Sequence, residues 1–256
     1  MGKKRLTFTL LVNEKGFLLS KNFRLQVVGD LEWLDNNYMF RNCASSIDEL
    51  IIINTSVAGV EWESFRDIVK YLSKNCFIPI ASGGGIRSIE DADRLFSVGI
   101  DKIILNHCLT FNHSVVKQIA NKYGRQAVVG SIDFKLKKNK YYYRVIDKDM
   151  KVALKDIMGL QNKFPITEVG ELLLTSVDRD GTGHGMDTKI LKLFDEVECP
   201  IILSGGAGTS EHLAEALNHP QVDAVSTANL YNFIGDSLMN ARSLIKKKGI
   251  QLAAWQ

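Results

Sequence analysis

No two of the four cysteines are spaced as a CxxC pair, so the sequence specifies neither a disulfide framework nor a cysteine zinc site. Cys43, Cys76, Cys108 and Cys199 read instead as reduced, mostly structural thiols. No apolar run approaches the ~18 residues that a membrane-spanning helix needs. The basic start, Met1-Gly2-Lys3-Lys4-Arg5, leads into an alternating segment and not into a long apolar one, so the expectation is a soluble, cytoplasmic protein. Excess charge of one sign is also missing: a net charge of +3 over 256 residues gives no electrostatic reason to expect a nucleic acid or a membrane as partner. With 45% hydrophobic residues the chain can bury a large core, and one domain spanning 1–256 is expected.

What the sequence does have is a glycine-rich stretch that occurs twice. Ser82-Gly83-Gly84-Gly85-Ile86 and Ser204-Gly205-Gly206-Ala207-Gly208 each lead, about twenty residues later, to an aspartate that opens an apolar run, at Asp101 and Asp223. The offset is constant, 204 − 82 = 122 and 223 − 101 = 122. A repeat near half the chain length implies two similar halves, and a unit of strand, glycine turn, helix and strand implies that each half is parallel α/β.

Taken in order, strand-length apolar runs alternate with helical patterns. Strands are expected at Leu6–Val12, Leu50–Ile53, Phe77–Ala81, Lys102–Leu105, Gln126–Ile132, Leu172–Thr175, Pro200–Leu203 and Asp223–Thr227. Helices are expected at Leu31–Ala44, Trp62–Leu72, Ile89–Phe96, Ser114–Lys122, Ala153–Gln161 and Ser237–Lys248, with a long loop over Asn13–Asp30. The Lys- and Tyr-rich segment 135–150 reads as a hairpin inserted after the fifth strand. Eight strands with intervening helices in this length predict a (β/α)8 barrel with a twofold half-barrel repeat. A doubly wound open sheet competes less well, because Gly83-Gly84-Gly85 lacks the GxGxxG spacing and follows the third strand.

In such a barrel the loops after the strands form the functional face. Both glycine turns fall there, each just before a helix N-terminus. Gly83, Gly84 and Gly85 with Asn106, and Gly205, Gly206 and Gly208 with Asn229, can each hold a phosphate through backbone N–H groups. Two such sites suit a small molecule phosphorylated at both ends. Asp178-Arg179-Asp180-Gly181-Thr182-Gly183-His184-Gly185 has one histidine and no second-ligand spacing, so Asp178, Asp180 and Thr182 read as a loop that closes over a ligand, not as a metal site. No metal and no cofactor are expected. Lysines interleaved with Tyr141, Tyr142 and Tyr143 resemble a single-stranded nucleic-acid platform, but a hairpin with one solvated charged face explains them at lower cost.

The stretch from Ser82 to Ala92, Leu173-Leu174-Thr175-Ser176-Val177-Asp178-Arg179-Asp180-Gly181-Thr182 and Ser204–Gly208 closely resemble HisF, the cyclase subunit of imidazole glycerol phosphate synthase, over about Arg5 to Ile250. The resemblance implies a barrel that takes ammonia from a glutaminase at its N-terminal face. It also implies that ammonia passes along the axis and cyclises a bisphosphorylated ribulosyl intermediate at the other face, with aspartates at the ends of strands one and five as acid and base. Asp133 matches the fifth-strand aspartate, but its repeat counterpart, at 133 − 122 = 11, is Leu11, which cannot transfer a proton. Asn54 and Asn229 also stand where the family carries aspartate and serine.

The Leu-Leu first strand, Ser20-Lys21-Asn22-Phe23 and Val28-Gly29-Asp30 resemble a HisF paralogue group, the WbuZ-type glycosyl amidation proteins. These are associated with a HisH-like glutaminase and an N-acetyl sugar amidotransferase that makes acetamidino sugars for surface glycans. Arg5, Glu49, Lys102 and Glu171 sit at or just before strand starts, where two positive and two negative groups can neutralise one another as a ring. All four match the family's ammonia gate, and Asp101 matches a contact for the glutaminase. Two functions follow: an ammonia-channelling subunit of a sugar amidation complex, or a true cyclase using Asp133 and a substitute acid such as Glu14.

Overall fold

A computed structural model describes residues 2–38, 46–56, 62–144, 151–154, 165–228 and 237–253. Its strands are β1 (Arg5–Asn13), β2 (Gly16–Lys21), β3 (Arg24–Gly29), β4 (Glu49–Asn54), β5 (Ile80–Gly83), β6 (Lys102–Leu105), β7 (Val128–Lys137), β8 (Lys140–Arg144), β9 (Lys151–Ala153), β10 (Glu171–Ser176), β11 (Ile201–Ser204) and β12 (Val222–Thr227). Eight of them, β1, β4, β5, β6, β7, β10, β11 and β12, pair in parallel in that order, and β12 pairs back onto β1 through Arg5↔Ala224. Continuing the register in step from Asn13 around the barrel returns to Arg5, 13 − 5 = 8 residues back. That stagger is the one that closes a (β/α)8 barrel.

Around the barrel lie α1 (Leu31–Tyr38), α2 (Trp62–Asn75), α3 (Ile89–Phe96), α4 (His107–Phe111), α5 (His113–Tyr123), α6 (Ser210–Leu217) and α7 (Ser237–Lys247). The period-two alternation of each strand sorts its side chains into two cores. Leu50 and Ile52 of β4 face the helices, where they meet Phe65, Val69 and Leu72 of α2. Ile51 faces the axis, within a separate interior cluster of Ala81, Ile104, Val129, Leu173, Ile202 and Ala224.

Several expectations are corrected. Residues 13–30 are not a loop but an antiparallel ribbon, β2–β3, continuing from β1 through Leu11↔Leu18. Its turn, Asn22-Phe23, takes left-handed φ values of 52° and 62° without the Asn-Gly pair that marks such turns in a sequence. The third barrel strand starts at Ile80, not Phe77, whose side chain is 89% exposed. The fifth runs past Ile132 to Lys137 and returns through Lys138-Asn139 into β8. Residues 145–150 of the expected hairpin, and most of the helices expected at Leu31–Ala44 beyond Tyr38 and at Ala153–Gln161, lie outside the described residues; Ala153 itself ends β9.

Candidate functional site

At the N-terminal mouth the four charges drawn from β1, β4, β6 and β10 form a closed ring of alternating sign. Arg5 Nη1 lies 2.7 Å from Glu49 Oε2 and 3.0 Å from Glu171 Oε1. Lys102 Nζ lies 2.9 Å from Glu49 Oε1 and 3.1 Å from Glu171 Oε1. Glu49 is fully enclosed, at 1% exposure. Burial raises the Glu49 pKa, against the pull of Lys102, and the like charge of Glu171 adds to the rise. Burial opposes the Arg5 charge, but Glu171 and Glu49 outweigh it and hold its pKa above the ordinary value. Directly above the ring comes the interior apolar cluster, in which Ala81 and Ala224 are the small members. Hydroxyls follow: Thr9 Oγ1 and Ser226 Oγ are 2.7 Å apart.

The floor of this mouth is tied by aspartates that cap strand starts. Asp101 Oδ2 accepts from Ile80 N at 2.8 Å, and Asp223 Oδ2, its repeat counterpart, accepts from Ile201 N at 3.0 Å. Asp48, fully buried, accepts from Leu6 N at 2.8 Å and from Arg242 Nη1 at 2.9 Å. Neither Asp48 nor Arg242 stood out in the sequence, since a lone Asp before a strand and a lone Arg in a helix carry no spacing signal.

At the C-terminal mouth Leu11 and Asp133 lie on β1 and β7, four strands apart around a barrel of eight and therefore on opposite walls. Asp133 is buried, and its Oδ2 accepts from Asn106 Nδ2 at 3.0 Å. Asn106 Oδ1 in turn accepts from Tyr143 Oη at 3.0 Å, so both ends of this amide are engaged. Burial pushes the Asp133 pKa up to about 7; Arg144 and the Asn106 hydrogen bond pull it down, and Asp180 pushes it up. Tyr143 and Arg144 come from the hairpin, which the sequence marks as an insertion without showing that it folds back over the fifth strand. Glu14 is exposed, and Ser56 Oγ donates to its Oε2 at 3.2 Å. Asn54 Oδ1 accepts from Ser56 N at 2.9 Å.

Both glycine turns are backbone-tight for the same reason. Gly84 and Gly206, related by the repeat, share φ +99°, and a Cβ would lie 2.0 Å from Asn54 O or 2.2 Å from Gly185 O. Gly83, Gly205 and Gly208 are closed in comparably, whereas a Cβ at Gly85 meets nothing nearer than 3.6 Å. After each turn a helix begins with a hydroxyl cap: Ser88 accepts from Asp91 N, and Thr209 from His212 N. The second turn lines a cavity of about 250 Å³ with Ser226 and Thr227, and Lys21 and Arg24 from the β2–β3 ribbon face the same space. Two backbone turns with helix N-termini, one of them facing two cations, are an arrangement suited to phosphate. Asn229 lies outside the described residues.

The loop after β10 holds the ribbons in place. Asp180 Oδ2 accepts from Ser20 Oγ at 2.5 Å and from Phe23 N at 3.0 Å. Asp178 Oδ2 accepts from Leu136 N at 2.7 Å, and Thr182 Oγ1 donates to Arg179 O at 2.7 Å. Among the described residues no group of three or more His, Cys, Asp or Glu is placed to hold a metal ion, and no helix is long and apolar enough to cross a membrane. Cys76, Cys108 and Cys199 are free thiols, all buried.

With this geometry in place, similarity to known proteins is informative. Residues 39–233 match the family described as histidine biosynthesis protein. A protein of Parasynechococcus marenigrum (strain WH8102), provisionally named imidazole glycerol phosphate synthase subunit hisF2, is 42% identical over 259 residues, covering 100% of this chain and 95% of the relative. The imidazole glycerol phosphate synthase subunit HisF of Pyrobaculum aerophilum is 37% identical over 80% of this chain and 81% of its own length. That of Streptococcus mutans is 30% identical over 98% and 100%.

Proposed function

This chain belongs to the HisF family of histidine biosynthesis proteins, and on that premise we propose that it conducts ammonia without carrying out the cyclisation itself. In this reading it is a protein of the WbuZ type. A HisH-like glutaminase sits on the N-terminal face and releases ammonia at the ring of Arg5, Glu49, Lys102 and Glu171. The ammonia moves along the apolar axis and leaves at the C-terminal mouth for an N-acetyl sugar amidotransferase that forms acetamidino sugars.

The observation that carries the reading is the contrast between the two ends of one barrel. All four charges of the ring are present and paired, while the position facing Asp133 holds Leu11. A closed ring of balanced charge is expensive to maintain in a buried place, and its presence at one end of a barrel that has leucine opposite Asp133 at the other favours transport over catalysis. A partner seated directly on the ring is also favoured by physical chemistry, because free ammonia at neutral pH is mostly protonated and an ammonium ion is costly to desolvate.

The alternative reading is a cyclase subunit of imidazole glycerol phosphate synthase, the enzyme whose HisF subunit the relatives are named as. Its support is Asp133, buried, held by Asn106 and raised to about 7, a value suited to proton transfer. It needs a second proton-transfer group, and the candidate Glu14 is solvent-exposed beside Ser56, not buried opposite Asp133. The deciding assay joins the chain, the glutaminase and the amidotransferase and follows amidation of an N-acetyl sugar. Amidation supported by glutamine only when all three are present is expected; amidation that does not need this chain contradicts the proposal.

A further inference from the structure

The two ribbons that rise from the C-terminal mouth differ in chemistry on the sides they share with the barrel interior. On the first, direct pairs carry the inward side of β1 upward: Leu11 pairs with Leu18, Leu18 with Val27, and Ser20 with Leu25. Leu25 and Val27 are thus on the side of Leu11, and they are 45% and 43% exposed. On the second, β7 alternates from Asp133 to Lys135 and Lys137, and Lys137 pairs with Lys140. All three lysines are exposed. Arg144 of β8 reaches across to the first ribbon, its guanidinium 4.7 Å from the Phe23 ring centre. The mouth therefore has an aliphatic wall above Leu11 and a cationic wall above Asp133.

We propose that these two walls form a docking surface for the enzyme that consumes the ammonia, and that this enzyme presents an aliphatic anchor bordered by carboxylates. The inference rests on the channelling role proposed above and adds where, and by what chemistry, the receiving enzyme binds. Exposed aliphatic side chains two apart on one ribbon face, continuous with a buried Leu18, give an anchor site that a lone exposed residue does not. Lysines across from it select an acidic rim and speed encounter. A second copy of this chain fits poorly, since it would set one lysine wall against another. Nucleic acid fits less well too: Tyr143 is buried against Asn106, and Leu25 and Val27, the exposed side chains of the first ribbon above Leu11, are aliphatic, not aromatic.

The test uses the full chain bound to its glutaminase and the purified N-acetyl sugar amidotransferase of the same organism. Leu25→Asp/Val27→Asp and, separately, Lys137→Glu/Lys140→Glu are each expected to weaken amidotransferase binding at least tenfold, and the charge reversal to flatten its salt dependence. Glutaminase binding, at the other end of the barrel, is expected to stay unchanged. The lysine variant lies at an exposed turn, so it tests the surface even if the apolar variant folds poorly. If wild type supports glutamine-dependent amidation and both variants bind as well as wild type, the surface is wrong and the channelling role stands. If wild type supports no amidation, the role fails and the docking surface with it. Binding of a single-stranded oligonucleotide that displaces the amidotransferase and is lost in the lysine variant would overturn the assignment to a protein partner.

Discussion

Leu11 and Asp133 occupy equivalent places in the two halves of the barrel, 133 − 11 = 122 residues apart, on opposite walls of one mouth. One is a hydrocarbon continuous with an aliphatic ribbon; the other is a buried carboxylate held by Asn106. The asymmetry gives Asp133 no facing acid to share a proton with and places its chemistry under the control of burial.

The first prediction follows from that burial. The folded pKa of Asp133, about 7, is above its ordinary value of 3.8, so between these limits the native state binds more protons than the unfolded chain. Stability contributed by this site is therefore full below about pH 4 and falls as pH rises through 7. Asp133→Asn is expected to flatten the loss between about pH 4 and pH 7 in denaturant unfolding. An identical pH profile in the variant contradicts the assignment.

The charged ring yields a stability prediction of opposite character. Glu49→Ala leaves Lys102 and Arg5 sharing Glu171 alone in a buried ring, and breaking a buried pair on one side costs about 3–5 kcal/mol. Urea unfolding measures it; a loss under about 1 kcal/mol would mean that the ring is solvated as a surface pair is.

Arg242→Met strands Asp48, which has no exposed surface and takes its other hydrogen bond from Leu6 N. The same arginine donates to Ala253 O, so its loss also removes one tie on a C-terminal segment that stays paired with Lys4 through backbone hydrogen bonds. A destabilisation of roughly 3–5 kcal/mol is expected. If Arg242→Met unfolds like wild type, the Asp48–Arg242 pair does not hold the fold together here.

Asp101→Lys is expected to weaken association with a HisH-like glutaminase, because it sets a positive charge on the face where that partner would sit. The structure adds a cost absent from the sequence reading: the Asp101 carboxylate caps Ile80 N, and its loss takes about 1 kcal/mol from the fold. Co-purification reads the first effect and thermal unfolding the second; unchanged association rejects this docking face.

The barrel was legible because its signals are local and repeated. Apolar runs of strand length, two glycine turns in register and aspartates at strand starts each reflect a backbone requirement that the sequence cannot hide. The four charges of the ring were legible one at a time, by position at a strand start, although their closure into a ring is a property of four strands meeting. What escaped was set by tertiary pairing. The β2–β3 ribbon turns through Asn22-Phe23, a pair with no strong turn signature, and Phe23 is held there by Asp180 from 157 residues away. The engagement of Asn106 by Tyr143 likewise depends on a hairpin folding back onto the barrel, which alternation alone does not reveal.

The most direct test of the account is ammonia-dependent cyclisation by the purified chain, assayed with ammonium salt and the bisphosphorylated ribulosyl intermediate. Losing one member of a positioned acid–base pair removes about 10²- to 10⁴-fold of rate, so turnover at least a hundredfold below an authentic HisF is predicted. Turnover within tenfold of that enzyme would contradict the account and make Asp133 sufficient without a partner at position 11.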